Sequence, residues 1–423
     1  MLRHLPLFAV SASVLALVAL PAGCSPAADD GTDSSRDHLD EPAGAIFTSL
    51  ETVPFKLDAP FAQLIGRFRS GAADPPKPAK DGGADSDGGD EGGAPKPPTV
   101  KKPDFSEPGH VVFGGKTFDV KVAIRGNTSP RDCTFPKYSI EFTNKDQVKG
   151  TAFQANKKIR VNSHCGDGGP NDRGGQFQRI QNEISPIREE MVYRLIRASG
   201  TPTYRTRLAK ISYTDTSAAS PLPAMEHHGL VIESGDDAAK RFAAAGLIDK
   251  TRGIYMNDPT GQPQFAGAEV SKMKPDDVAN VYLAEAMSSN VDWVFEEGRF
   301  GGGESSFWNV DVFGVPHEAT QLPIPQDFDL ASAVHLLRDP STEVPSQMRL
   351  FHDLASAQPD IAKAAAARFK AKKAAIVGEL AALEKAGVSA GRLPSTDQVT
   401  TTDPGFVAAH KALDIFFALP ELQ

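Results

Sequence analysis

Residues 118–142 read FDVKVAIRGNTSPRDCTFPKYSIEF and contain two candidate β-strands separated by a polar, turn-forming segment. Apolar and polar residues alternate in Phe118–Ile124, and Tyr138–Phe142 has the composition of a second strand. Upstream, Val111–Phe113 can pair with the first of these strands across the Gly114-Gly115 turn. The pattern therefore predicts a mainly antiparallel sheet in this part of the chain.

Further strands and then helices are predicted as one moves along the chain. The remaining candidate strands are 158–161, 208–213 and 229–232. A helix is predicted from Pro186 to Ala198, because Ile187, Met191 and Leu195 recur at helical spacing and Gly200 follows. The other predicted helices are 239–245, 275–289 and 361–386. Strands gather early and helices late, which favours an α+β fold with a helical C-terminal part.

Composition limits the classes of function that need to be considered. The net charge is -9, and an acidic chain has no general attraction for nucleic acid, so nucleic acid is not an expected partner. Apolar residues make up 40% of the chain, which is enough for a globular core. The three cysteines are too few for a miniprotein held together by disulfides.

The first 24 residues have the pattern of an export signal. Arg3 precedes the apolar run Leu5–Leu20, and small residues then lead to Cys24. Two interpretations stay open: cleavage near Ala22 with Cys24 incidental, or a lipobox in which Cys24 is lipidated. The second is favoured by the long linker that follows, and it predicts a lipid-anchored protein of the cell envelope, at the outer membrane or the periplasmic face, whose membrane contact is the lipid on Cys24.

Residues 25–107 are predicted to be a disordered linker rich in Pro, Gly and Asp, because such sequence cannot bury enough apolar surface to offset chain entropy. Within it, residues 46–68 are apolar enough for a short helix or strand, which could pack on the folded domain or bind a partner. The folded domain is predicted to cover residues 108–423.

Cys133 and Cys165 lie in the predicted exported domain, where thiols are normally oxidised. A disulfide between them would close a loop of 32 residues and contribute on the order of 3 kcal/mol in the chain-entropy model. The alternative is a metal site made by the two thiols with His164. The disulfide is favoured because two thiols and one His make a weak metal motif.

Two acidic segments in the second half of the chain suggest a metal site. Asp327 and Asp329 follow an apolar stretch in PQDFDL, and extended backbone would direct both carboxylates to one side and Phe328 into the core. Asp292 lies in NVDW, and Asn309 lies between the two segments. Oxygen ligands of this kind suit Mg²⁺ or Mn²⁺, which in turn bind phosphate. The alternative is that all four are solvated turn residues.

A cationic element precedes these acids in the chain. Arg125 opens the turn RGNTSP, and Lys137 opens the next strand. A turn with glycine and hydroxyl groups, followed by a lysine, can surround phosphate oxygens. Glu233, at the end of a later strand, is a candidate partner for Lys137.

Taken in order, these segments resemble the CotH family, the atypical protein kinases related to spore coat protein H. The resemblance covers about residues 110–335. Within the family, the chain looks most like an uncharacterised exported branch, in which one Cys precedes the F-P strand and another follows a T/S-H. The matching segments are RGNTSP with FPKYSIEF (125–142), KKIRVNSHC (157–165), HGLVIES (228–234), SSNVDW (288–293) and PIPQDFDLA (323–331).

The resemblance implies a kinase-like fold and a role for each matched residue. Lys137, with Arg125 nearby, would hold the nucleotide phosphates, and Asp292 would be the catalytic carboxylate. Asp327 and Asp329, with Asn309, would bind Mg²⁺ or Mn²⁺ together with ATP. The implied function is metal-dependent phosphoryl transfer from a nucleotide to the hydroxyl groups of a protein substrate. Because an exported enzyme meets little ATP, the alternative is a non-catalytic lipoprotein that uses the same fold as a binding or structural module.

Overall fold

The computed structural model describes residues 46–47, 49, 51–70, 106–126, 128–169, 172–175, 177–249, 269–297, 305–315, 320–397 and 399–423. The predicted signal peptide, the lipidation site Cys24 and most of the predicted linker lie outside the described residues. The fold combines sheet and helix and is therefore of the α+β class.

Seven strands form a closed barrel in the N-terminal half of the described chain. Around the barrel the order is β1, β2, β3, β4, β5, β9 and β8, and all neighbours pair antiparallel except β1 and β8, which are parallel. The strands are β1 Val53–Ala59, β2 Ser106–Phe113, β3 Lys116–Ile124, β4 Tyr138–Phe142, β5 Lys158–Asn162, β8 Thr206–Asp215 and β9 Met225–Glu233.

The expectation of an antiparallel sheet was wrong in one respect, because β1 closes the sheet into a barrel. One edge of β1 pairs with β2, with Leu57 opposite Val111, and its other edge pairs with β8, with Leu57 opposite Tyr213. Closure leaves no free sheet edge. Alternate residues of β1, including Phe55 and Leu57, are buried in the barrel core, while Lys56 is exposed.

The prediction of a disordered linker over residues 25–107 is therefore wrong for residues 51–70, which belong to the folded domain. It is also wrong for Ser106 and Glu107, the first two residues of β2. After β1, helix α1 (Phe61–Ser70) covers one end of the barrel. The Phe61 ring lies 5.1 Å from Phe135, 5.7 Å from Tyr213 and 6.1 Å from Tyr138, measured between ring centroids. The two possibilities left open for residues 46–68 are thus resolved in favour of packing on the domain.

Helices dominate the second half of the described chain, and their apolar faces form a separate core. The longer predicted helices are confirmed with small changes of boundary. The helices are α2 Ser129–Asp132, α3 Lys145–Val148, α4 Ile184–Ser199, α5 Gly235–Ala244, α6 Pro275–Ser288, α7 Ser332–His335, α8 Pro340–Gln347, α9 Arg349–Ala357, α10 Pro359–Ser389 and α11 Pro404–Ala418. Of the helices in the described residues, none is both long and apolar enough to cross a membrane.

Helix α4 connects the barrel to this helical part. It packs against β8 and β9 on one side and against α6 and α10 on the other. Among the described residues, six short strands pair as hairpins outside the barrel: β6 Arg173–Gly174 with β7 Arg179–Ile180, β10 Val294–Glu297 with β11 Ser305–Trp308, and β12 Val310–Phe313 with β13 Leu322–Pro325. In the last hairpin Val310 lies opposite Pro325, so the residues just before β12 and just after β13 lie at the same end.

Candidate functional site

The centre of the site is a lysine held between two carboxylates. Lys137 immediately precedes β4, and its Nζ donates a hydrogen bond of 2.8 Å to Asp329 Oδ2 and a second to Asp327 Oδ1. Lys137 is buried. Burial alone would lower the pKa of its ammonium group, but the charges of Asp327 and Asp329 raise that pKa above its ordinary value. Three of the residues predicted to bind nucleotide and metal are therefore brought together.

The backbone conformation that brings these residues together differs from the one predicted from the sequence. Asp327 has a left-handed conformation, with φ 58° and ψ 66°, and Phe328–Leu330 form a 3-10 turn. The expected extended geometry was wrong, although its consequence holds, since both carboxylates reach Lys137 and Phe328 is fully buried. The Asp327 backbone N–H donates to the Tyr193 hydroxyl at 3.0 Å, which helps to fix the turn.

Arg179, which the sequence analysis missed, is the second cation on Asp329. Its Nε donates to Asp329 Oδ2 at 2.8 Å, and its Nη1 donates to Asp132 Oδ2 at 2.7 Å. Burial would raise the pKa of the Asp329 carboxyl, but Arg179 and Lys137 hold it well below its usual range. The other carboxylate oxygen, Asp329 Oδ1, is buried and has no hydrogen-bond partner among the described residues. Arg179 lies in a two-residue strand with no motif of its own, so no pattern marked it.

A buried acid, Glu189, lies behind Lys137 and was also missed. Asn162 Nδ2 donates to both Glu189 oxygens, at 2.7 and 2.8 Å, and Asn162 Oδ1 accepts from Arg125. Burial raises the pKa of Glu189 to about 7, against the opposing charge of Lys137. One indication was present in the sequence: Glu189 precedes Tyr193 by four residues in α4 and so shares its buried face.

The predicted catalytic acid Asp292 forms a separate pair with Asn309. Asn309 Nδ2 donates to the Asp292 carbonyl oxygen at 2.6 Å and to its Oδ2 at 3.1 Å. The Asn309 carbonyl accepts from the backbone N–H of Gln326 at 2.9 Å. Asp292 and Asn309 therefore lie at the end of the β12–β13 hairpin that also carries Asp327. The predicted residues thus form two adjacent groups. The first is Lys137 with Asp327 and Asp329, and Arg125 is linked to it through Asn162. The second is Asp292 with Asn309.

Cys133 and Cys165 form the predicted disulfide, with their Cα atoms 4.6 Å apart. The alternative metal site with His164 was wrong, because both sulfur atoms are used in the bond. The disulfide lines the same pocket as Lys137, Asn162, Arg179, Glu189 and Asp329. It therefore fastens the segment before β4 to the segment after β5, where the pocket lies.

One predicted pairing is wrong. Glu233 does not meet Lys137 but accepts from Arg241 Nη2 at 2.7 Å and from the Arg205 backbone N–H at 3.2 Å. Glu233 is the last residue of β9, and Arg241, in the last turn of α5, reaches it. Asp327 and Asp329, and not Glu233, are the acidic partners of Lys137.

Comparison with protein-family models finds no match for this chain, and comparison with curated proteins finds none either.

Proposed function

We propose that the chain is an exported protein kinase of the CotH type, which transfers a phosphoryl group from a nucleotide to protein hydroxyl groups. The observation that carries the proposal is the convergence of Asp327 and Asp329 on Lys137, although Lys137 comes from the barrel and the two acids follow β13. Lys137 and Asp329 line one pocket. Phosphoryl transfer requires mainly that charged groups be positioned, and a lysine beside paired carboxylates meets that need.

Cations around the pocket support the binding of a polyphosphate. Lys137 and Arg179 line the pocket directly, and Arg125 lies beside it on Asn162. Burial lowers the pKa of Arg125, and the neighbouring Arg160 lowers it further, so this guanidinium lies in a poorly solvated place. An anion with several oxygen atoms would accept charge-assisted hydrogen bonds from these cations.

The carboxylates are of the type that binds Mg²⁺ or Mn²⁺. Asp329 Oδ1 is a buried anionic oxygen that has no hydrogen-bond partner among the described residues, and the Asp327 side chain is one-third exposed. Such oxygens fit a hard divalent cation, and Asp327 and Asp329 would hold it. A bound cation would supply neutralisation of the phosphate charge.

Asp292 is suited to receive the proton of a substrate hydroxyl. Its carboxylate is oriented by the Asn309 amide at 3.1 Å and its backbone N–H by Asn290 Oδ1 at 3.3 Å. A carboxylate held in one orientation can accept a proton from a hydroxyl group without first reorganising. Asn309 thus orients the Asp292 carboxylate, and Asn309 also remains a candidate metal ligand.

The test is autophosphorylation of the purified chain with labelled ATP and Mn²⁺. Asp292→Asn and Asp327→Ala are each expected to abolish labelling. Asp353→Asn, an exposed acid of α9 whose side chain is 68% accessible, serves as the matched control and should label like wild type. Equal labelling of the wild type and both site variants would refute the proposal.

A second candidate is a non-catalytic module of the cell envelope. It is favoured by one observation: Asp329 Oδ2 already accepts from both Lys137 and Arg179, so the ion network is satisfied at that oxygen without any ligand. A thermal-shift series separates the two functions. Stabilisation by nucleotide with Mn²⁺ supports the kinase, whereas stabilisation by Ca²⁺ alone supports the binding module.

Anchoring through Cys24 is a proposal that rests on the sequence alone. Metabolic labelling with palmitate should mark the wild-type chain in its native host. A Cys24→Ser variant should carry no label and should be released from the membrane fraction, and equal labelling of the two would refute lipidation at this residue.

A further inference from the structure

Two histidines and an aspartate meet on the barrel, in a cluster separate from the lysine and carboxylates described above. His164 follows β5, Asp167 lies three residues later, and His227 belongs to β9. His227 Nε2 is 2.8 Å from Asp167 Oδ1, and His164 Nε2 is 3.8 Å from the same oxygen. One ligand atom from each residue lies within 4.8 Å of the other two.

The environment of His164 is unusual for a buried polar side chain. It is fully buried, and neither of its ring nitrogens has a hydrogen-bond partner among the described residues. A buried polar group without a partner destabilises the fold. Burial, with His227 adding to it, lowers the pKa of His164 to about 3, so the ring is neutral and can offer a lone pair at ordinary pH.

The rings of His164 and His227 are stacked, with centroids 3.8 Å apart and planes inclined by 17°. Phe135 stacks on the other side of His164, with centroids 5.2 Å apart. This packing holds the His164 ring in place, and the Nε2 atoms of His164 and His227 lie 3.8 and 2.8 Å from Asp167 Oδ1. Two imidazoles and one carboxylate that converge in this way form a common ligand set for a divalent transition metal.

We propose that His164 Nε2, His227 Nε2 and Asp167 Oδ1 bind a first-row divalent transition-metal ion such as Zn²⁺. Asp167 is 74% exposed, so its side is open to water, which would complete a tetrahedral site. Imidazole ligands distinguish this site from the Asp327 and Asp329 pair, whose oxygen atoms suit harder cations.

A bound ion would cross-link part of the wall of the pocket. Residues 163–167 contain Ser163 and Cys165, both of which line the pocket, and the disulfide holds this segment on one side. A metal bound by His164, Asp167 and His227 would hold it on the other side by attaching it to β9. This inference does not depend on the proposed kinase activity.

The test is zinc binding by the full, metal-free chain, measured by calorimetry with Zn²⁺ alone, with Co²⁺ absorption as a report on tetrahedral coordination. One ion should bind per chain. Asp167→Ala and His227→Gln should each weaken binding at least tenfold. Asp167 is largely exposed, so its replacement leaves the fold intact, which an unchanged urea transition will verify.

The matched control is His228→Gln. His228 is adjacent in sequence but pairs with Glu183 at 3.0 Å, and this variant should bind zinc within twofold of wild type. The proposal is overturned if no saturable one-to-one binding occurs, or if Asp167→Ala and His227→Gln bind zinc as wild type does. It is also overturned if zinc binding is lost in Asp327→Ala but retained in Asp167→Ala, because the ion would then belong to the acidic pair.

Discussion

Lys137 Nζ donates to Asp329 Oδ2 at 2.8 Å, although 192 residues separate the two in sequence. Lys137 introduces barrel strand β4, and Asp329 lies in the turn after β13, so the bond joins the barrel to the segment that leads into the C-terminal helices. Both side chains are less than a tenth exposed. A charge buried to this degree is tolerated because it has a partner, and it becomes costly when the partner is removed.

Lys137→Met should therefore destabilise the chain by about 3 kcal/mol, because it removes the cation that bonds to both Asp327 and Asp329. In a double-mutant cycle with Asp329→Asn, the two effects should fall short of additivity by about 0.5–3 kcal/mol. Urea unfolding of the four proteins measures this coupling. Lys210→Met removes one member of an exposed pair with Glu226, each 51% exposed, and should cost less than about 1 kcal/mol. Strict additivity at Lys137 and Asp329 would contradict the buried pair.

The raised pKa of Glu189 makes stability depend on pH. Its folded value of about 7 exceeds the ordinary 4.5, so the folded chain holds this proton more tightly than the unfolded chain. The resulting stabilisation is complete below about pH 4.5 and is lost as the pH rises through 7. Glu189→Gln imitates the protonated form, so relative to this variant the wild type should lose on the order of 1–3 kcal/mol between pH 5 and pH 8.

Urea unfolding of wild type and Glu189→Gln at pH 5, 6, 7 and 8 measures that difference. Glu141→Gln, on the barrel surface with 37% exposure, is the control and should follow the wild-type profile. Parallel profiles for wild type and Glu189→Gln would show that the Glu189 side chain does not titrate in this range.

Local periodicity was sufficient to predict most of the elements but not the closure of the barrel. The strand β3, with 9 residues, and the helix α4, with 16 residues, can each be recognised from their local pattern. Closure depends on β1 pairing in parallel with β8, in a register that sets Val53 opposite Ala209. A contact over that separation leaves no local pattern. Residues 46–68 were recognised as a possible strand or helix, but their sequence does not show that β1 pairs with β2 and β8.

The site was predictable to the extent that its residues lie in short polar motifs. Lys137, Asp327 and Asp329 were found in that way, and they do meet. Arg179 and Glu189 were not predicted, because the sequence around each of them indicates a strand or a helix but contains no motif that indicates a binding site. The left-handed backbone at Asp327 was also missed, since tertiary contacts, such as that with Tyr193, determine it.

A second buried ion pair provides a test of the packing between α4 and α11. Arg188 donates to Asp403 through Nε at 2.9 Å and through Nη2 at 2.7 Å, and both residues are almost fully buried. Arg188→Ala should destabilise the chain by about 3–5 kcal/mol, because Asp403 would remain as an unpaired buried charge. The matched control is Arg349→Ala, which removes an exposed pair with Asp353 and should change stability by about 0.5 kcal/mol. Chemical denaturation of both variants distinguishes the cases, and equal losses would contradict the burial of Arg188.

The position of β1 in the barrel can be tested at two adjacent residues. Leu57 is fully buried between Val111 and Tyr213, whereas Lys56 faces solvent. Leu57→Ala should lower the free energy of unfolding by about 2–5 kcal/mol, because it removes apolar contacts and leaves a cavity. Lys56→Ala should change it by less than about 0.5 kcal/mol. If urea unfolding gave the same stability for both variants, residues 53–59 would not be part of the barrel, and the folded domain would begin at β2.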